Sequence, residues 1–256
     1  ILQFLCLGIR LFTLLPNHPK LSFLPTLTLN SYGQVMNHWL PARSGDVFKV
    51  FALRSAGREA DLKVPRILAT LTVDRVAQVV SLLVLLLILN FENLSAQIAR
   101  MTSAKSLILL SLIALISIVL IIFRKKLLMS IRDFFRSSRQ MIFSKAFVWA
   151  LAFSTAAWFF ECASLMILAK ALNIALPLSQ AFFVLLIVNL GIAVPLSFAN
   201  LGTYEAAIVF ALTQLDVTMS KSLAVGISHH LAQALAVVVL ALIFFSVNRL
   251  RSCRIK

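Results

Sequence analysis

The chain has 256 residues, 61% of them hydrophobic and only 13% charged, with a mean hydropathy of +0.97 and a formal net charge of +15. Soluble globular domains carry about 25% charged residues, so the composition excludes an ordinary water-soluble fold. The surplus of Lys and Arg reads as the basic loops of a membrane protein. No aromatic-interleaved basic face argues for single-stranded nucleic acid, and no nucleic-acid partner is expected.

The apolar residues come in blocks near the ~20 residues that cross a hydrocarbon core. Lipid leaves the backbone no partner but itself, so these blocks are helices and the chain is an all-α integral membrane protein. Residues 1–15 are apolar except for Arg10 and read as a short spanning helix, incomplete at its N-terminus because the run opens on Ile1. The run also lacks the basic region and cleavage site of a signal peptide. Pro16, Pro19 and Pro25 then interrupt any helix. Residues 23–40 mix Asn30, Asn37, His38 and Trp39 with apolar neighbours, and the turn Pro41-Ala42-Arg43-Ser44-Gly45-Asp46 leads into a short apolar stretch carrying Lys49 and Arg54.

A charged loop over 57–66 precedes a spanning helix over 67–89 that contains Asp74 and Arg75. A second span covers 106–123. Residues 124–145 form a basic loop with seven basic residues and one acid, in which Ile131, Phe134 and Phe135 are placed toward the membrane. A third span, 146–169, buries Glu161. Residues 181–215 are apolar but broken by Pro195, Asn200, Gly202 and Glu205. A last span over 222–247 carries His229 and His230 and ends in a basic tail, 248–256.

Basic segments face the cytoplasm, which places 57–66, 124–145 and the C-terminal tail inside. Residues 181–215 must then begin and end outside. Their 35 residues, at about 1.5 Å each, suit two half-helices meeting within the membrane. Residues 23–56, split at Pro41 and Gly45, suit a second re-entrant pair open to the cytoplasm. The expectation is one polytopic domain over 1–256, with about five spanning helices and two re-entrant pairs. The pairs share a pattern: Asn37, Pro41, Gly45, Asp46 and Val50-Phe51-Ala52-Leu53 against Asn189, Pro195, Gly202, Glu205 and Val209-Phe210-Ala211-Leu212. Either this is an inverted repeat of the transporter kind or a chance match of a short apolar string.

Ionisable residues at membrane depth face a cavity or a partner. Arg43 either grips a phosphate through its guanidinium fork or snorkels to the interface. Asp74 and Arg75 point about 100° apart on a helix, so each needs its own partner; Arg43 or Lys49 is expected for Asp74. Glu205 either caps a half-helix beginning near Thr203 or serves as a proton or cation site. Glu161, in mid-span, is either a transport group or a neutral acid. His229 and His230 either form a titrating relay or bond across helices. Cys6, Cys162 and Cys253 are scattered, and the histidines have no metal-binding companions, so no metal, cofactor or disulfide framework is expected. No nucleophile elbow or P-loop appears, and no catalytic residue is assigned.

The elements Asn37-x-x-x-Pro41-Ala42-Arg43-x-Gly45-Asp46, Ala69-Thr70-x-x-x-Asp74-Arg75, Gly202-Thr203-Tyr204-Glu205-Ala206-Ala207 and His229-His230 occur in an order that resembles the lysylphosphatidylglycerol synthase transmembrane-region family, also called flippase-like domain proteins. The likeness runs from about Ile1 to Val247. Asp46 stands where that family more often has Glu, no Gly-Gly precedes the second break, and the family's first span has no counterpart. The resemblance implies a bacterial or archaeal cell membrane protein that handles or translocates phospholipids or lipid-linked intermediates, with membrane lipids as partners and their head groups, anionic or lipid-linked, at Arg43. It also implies that lysyl transfer is not expected from this chain, which carries no aminoacyl-transferase domain after Val247. The competing expectations are a membrane transferase using a lipid-linked donor and a scaffold that anchors a lipid-modifying enzyme through loop 124–145.

Overall fold

The computed structural model describes residues 1–16, 21–40, 44–56, 62–89, 128–192 and 200–254. These residues form nine helices and, among themselves, no strand. In chain order the helices are α1 (Leu2–Leu14), α2 (Phe23–Trp39), α3 (Ser44–Ala56), α4 (Val64–Ile88), α5 (Leu128–Ile142), α6 (Lys145–Ala171), α7 (Leu178–Gly191), α8 (Thr203–Thr213) and α9 (Met219–Arg254).

Three segments are long and apolar enough to cross a membrane: Val64–Leu86, Lys145–Ala171 and Met219–Arg249. They correspond to the spans expected at 67–89, 146–169 and 222–247. The span expected at 106–123 lies outside the described residues. Helix α1 has 13 residues, about 20 Å of rise against a hydrocarbon core of about 30 Å.

The helices explain their own boundaries. Pro65 sits in the first turn of α4, where its missing N–H costs nothing, so α4 begins three residues before the expected 67. Helix α9 continues through the basic tail to Arg254. The basic loop holds a helix, α5, which packs on α4 and, more lightly, on α6. Its half-buried Phe134, Ser137, Ser138 and Met141 recur at helical spacing. Phe135 and Phe143 are exposed, while Phe134 is half-buried.

Helices α4, α6 and α9 are apolar on two sides. Along α6, Ala150, Ala157, Trp158, Cys162, Leu165 and Ala169 face the core, while Val148, Trp149, Phe159, Phe160 and Ile167 stay exposed. In water such an outer face would be a large aggregation-prone patch; lipid is the solvent that suits it. Helix α7 is buried on every side from Ala181 to Leu185, as a helix in the middle of a bundle must be.

Helix α1 packs against α6, α2 and α4; α9 packs against α2, α6 and α8. Two helix pairs, α2–α3 and α7–α8, close against themselves and meet this frame. The approach of α2 and α3 depends on Gly45. A methyl group there would collide with the Gly33 carbonyl oxygen and come within 2.7 Å of Asn37 Oδ1. Helices α7 and α8 have 14 and 11 residues, about 21 and 17 Å long, each shorter than a hydrocarbon core of about 30 Å.

Candidate functional site

Helix α4 places Asp74 and Arg75 side by side, and their side chains diverge into different surroundings. Asp74 turns into the bundle. Arg10 Nε donates to its Oδ1 at 2.6 Å and Arg10 Nη2 to its Oδ2 at 2.7 Å, while Arg10 Nη1 donates to Ser154 Oγ at 3.2 Å. This is a two-pronged guanidinium–carboxylate pair, the strongest geometry available to such groups. It ties α1, α4 and α6 together. Of the expected partners of Asp74, Lys49 sits instead with its Nζ 4.0 Å from Asp46 Oδ1, and Arg10 on α1 takes Asp74. Arg43 lies outside the described residues.

Arg75 turns the other way. Its Nη2 donates to Asp46 Oδ1 at 2.9 Å and Oδ2 at 3.2 Å, and its Nη1 to Gln78 Oε1 at 3.3 Å. Asn37 Nδ2 also donates to Asp46, at 3.2 Å. Asp46, in the first turn of α3, thus joins α2, α3 and α4. The five charged groups comprise three cations (Arg10, Lys49, Arg75) and two carboxylates (Asp46, Asp74), a surplus of one positive charge.

Arg75 borders two spaces. One is a groove of about 370 Å³ between α3 and α4, where Asp46, Lys49 and Asp74 lie beside apolar Val47, Val50, Leu68 and Leu71. The other is a polar cavity of about 110 Å³ at the centre of the bundle. Seven carboxamides line that cavity: Gln3 of α1, Gln34 and Asn37 of α2, Gln78 of α4, Asn189 of α7, Asn200 just before α8, and Gln233 of α9. Glu161, His38, Tyr204 and His230 complete its polar wall.

A hydrogen-bonded network closes one side of this cavity. Gly202, with a φ of +81°, takes the left-handed backbone that glycine tolerates. Its N–H donates to Glu205 Oε2 at 2.7 Å, so Glu205 caps α8 as the sequence allowed. Glu205 Oε1 lies 2.7 Å from His230 Nδ1. Tyr204 Oη and His229 Nδ1 are 2.6 Å apart, with the donor fixed by the imidazole tautomer. Glu161 accepts from Gln3 Nε2 at 2.8 Å and from Gln233 Nε2 at 3.2 Å. His229 and His230 therefore bond across helices, one of their two expected roles.

Of the residues singled out in the sequence, Asn37, Asp46, Arg75, Glu161, Glu205 and His230 converge on the cavity or its wall. Asp74 lines the α3–α4 groove instead, and His229 bonds Tyr204 of the cavity wall. Gly45 and Gly202 set backbone. Pro41 and Arg43 lie outside the described residues. Arg10, Gln3, Gln34, Gln78, Tyr204 and Gln233 were not singled out. A signal existed for Arg10: a lone arginine in an apolar run needs an intramembrane acid. The glutamines carried one too, as isolated carboxamides recurring in otherwise apolar helices.

A search of curated proteins found no match, and a search of solved structures found none. The sequence profile of the family described as the lysylphosphatidylglycerol synthase TM region does match, over residues 1–241. With nearly the whole chain covered by a membrane-domain family and an apolar-faced helical bundle around a charged centre, this chain belongs to the lysylphosphatidylglycerol synthase TM region family.

Proposed function

We propose that the chain is a flippase-like membrane protein that binds phospholipids or lipid-linked intermediates by their head groups and moves them across the bilayer. The observation that carries this reading is the position of Arg75. Its guanidinium borders both the central polar cavity and the α3–α4 groove, whose wall mixes charge with apolar side chains. A phospholipid has the same mixture. A phosphate would exchange for Asp46 on Arg75, and acyl chains would run along Val47, Val50, Leu68 and Leu71. Arg43, which lies between α2 and α3 in the sequence, is a second phosphate ligand in this reading.

The two short helix pairs serve as re-entrant elements, α2–α3 open to the cytoplasm and α7–α8 open to the outside, with the C-terminus cytoplasmic in a cell membrane. Half-helices that end in the membrane put backbone and polar groups at mid-depth, where transport sites lie. Cysteine labelling at position 203 tests this placement: reactivity to a membrane-impermeant reagent from the cytoplasmic side would rule it out.

The function itself is tested by native mass spectrometry of the purified protein with phosphatidic acid and diacylglycerol supplied together. The expected result is retention of phosphatidic acid by the wild type and a loss of roughly ten-fold or more in Arg75→Gln, the scale of one charge-assisted hydrogen-bonded contact. Equal retention of both lipids by both proteins would remove the phosphate site.

A further inference from the structure

We propose that the outer face of α5 is a docking surface for acidic phospholipids of the surrounding bilayer, separate from the transport site. The inference goes beyond the reading above, because it concerns the lipids that seat the protein in its membrane and not the one it moves. It follows from the depth at which α5 sits, the side chains it leaves outside, and the charges among them that have no partner.

Helix α5 packs on α4 and α6 near the ends where those two spans begin, and Met141 marks its depth. Thr70 Oγ1 lies 3.8 Å from Met141 Sδ. Thr70 stands about 9 Å of helical rise beyond Val64, the first residue of α4. Met141 also packs against the cluster of Leu14, Val73, Ala77 and Ala150. A helix lying in the plane of the interface buries its apolar face about 5–10 Å into the boundary between head groups and acyl chains. Trp149, in the second turn of α6, is 62% exposed at the same end of the bundle. Exposed tryptophans of spanning helices collect at that boundary.

On the side of α5 turned away from the bundle, Phe135, Arg139 and Phe143 recur every fourth residue and form one stripe, with Arg136 and Gln140 beside it. Phe143 belongs to that stripe because its N–H still bonds the Arg139 carbonyl, at 3.2 Å. The five side chains line an open groove of about 760 Å³. The two rings are 64% and 83% exposed, which suits acyl chains and not water. Arg136 and Arg139 are exposed too, and neither guanidinium has an ion pair or hydrogen bond among the described residues. The segment 124–145 holds seven basic residues against the single acid Asp133, so it cannot neutralise itself. Rings at the level of the first methylenes and guanidiniums at the level of phosphates match the boundary of a phospholipid leaflet. An acidic head group supplies the missing negative charge, whereas a zwitterionic one brings its own ammonium. A soluble acidic partner would match the charge but not the depth of Met141 and Trp149.

The test offers the purified full chain an equimolar mixture of phosphatidylglycerol and phosphatidylcholine, which share a phosphate and differ in net charge, and reads bound lipid by native mass spectrometry. The wild type should favour phosphatidylglycerol. Arg136→Gln combined with Arg139→Gln should lower that preference roughly five- to thirty-fold, the scale of one or two basic contacts with an anionic surface. Arg136→Lys combined with Arg139→Lys keeps the charge and should keep most of the preference. Both side chains are exposed, so the melting midpoint should stay in place and separate lost docking from lost folding. Arg75→Gln should leave the preference intact even as it loses phosphatidic acid. A preference that survives the double Gln variant overturns the inference and turns the α5 face over to a protein partner. A preference that collapses in Arg75→Gln overturns it as well, by assigning charge selection to the transport site. Phosphatidic acid retained by Arg75→Gln, with the preference still lost in the double Gln variant, takes down the transport reading and supports the α5 surface.

Discussion

Two ion pairs on consecutive residues of α4 show opposite designs. Arg10–Asp74 is sealed, with side chains 2% and 8% exposed and contacts of 2.6 and 2.7 Å. Asp46–Arg75 is open, with side chains 32% and 39% exposed and contacts of 2.9 and 3.2 Å. The same helix thus carries a buried clamp on one side and, on the other, a partly exposed cation that the proposed function reads as exchangeable. A buried pair whose guanidinium is held by three hydrogen bonds does not release its arginine to a ligand. An open pair, beside two spaces and with Lys49 nearby, can.

The largest effect should come from breaking the sealed pair. Arg10→Met strips buried Asp74 of its hydrogen-bonded counter-charge, a loss of about 3–5 kcal/mol. Thermal unfolding in detergent should show it as a clear drop in midpoint. The double change Arg10→Met with Asp74→Leu removes both charges and should recover much of the loss, because a well-packed apolar pair of similar volume replaces a buried ion pair at little cost. A double variant no better than the single one would mean that the pair is more than a clamp.

Gly45→Ala should come next. The added methyl meets the Gly33 carbonyl and Asn37 and forces α3 away from α2. Overpacking of this kind costs about 1–3 kcal/mol, and it also displaces Asp46 from Arg75. The same unfolding measurement reads the first effect, and phosphatidic acid retention reads the second. Unchanged retention despite lowered stability would separate the α2–α3 fit from the open pair.

Much of this architecture was legible in the residues, and the part that was not has a physical cause. The spans containing Asp74, Glu161 and His229 followed from apolar length alone. The short pairs followed from Gly45 and Gly202 at the breaks. Glu205 as a cap was one of the two readings left open by its place after the Gly202 break, and the Gly202 N–H bonds it. The pairing of Asp74 did not follow, since periodicity says which way a side chain points on its helix and nothing about which helix arrives opposite. Helix α1 does arrive there, packed against α6 and α4, and it brings Arg10. The carboxamide cavity stayed hidden for the same reason. Its carboxamides come from five helices and the turn before α8, and no local pattern joins them. Helix α5 was obscured because Arg132, Asp133, Arg136 and Arg139 break up its apolar residues, which therefore form no continuous run.

The smallest expected change in stability, and the sharpest functional one, belongs to Asp46→Asn. The pair is about a third exposed, so its contribution to folding should stay near or below about 1 kcal/mol. Its removal raises the local charge surplus from one to two, since Arg10, Lys49 and Arg75 then face Asp74 alone. If Asp46 is the group a phosphate displaces, the variant no longer competes for the Arg75 guanidinium, and phosphatidic acid retention should rise several-fold while the melting midpoint barely moves. If Asp46 instead holds Arg75 in the only orientation that reaches the cavity, retention should fall. A rise assigns the open pair to exchange; a fall makes it a second clamp and dissolves the contrast with Arg10–Asp74.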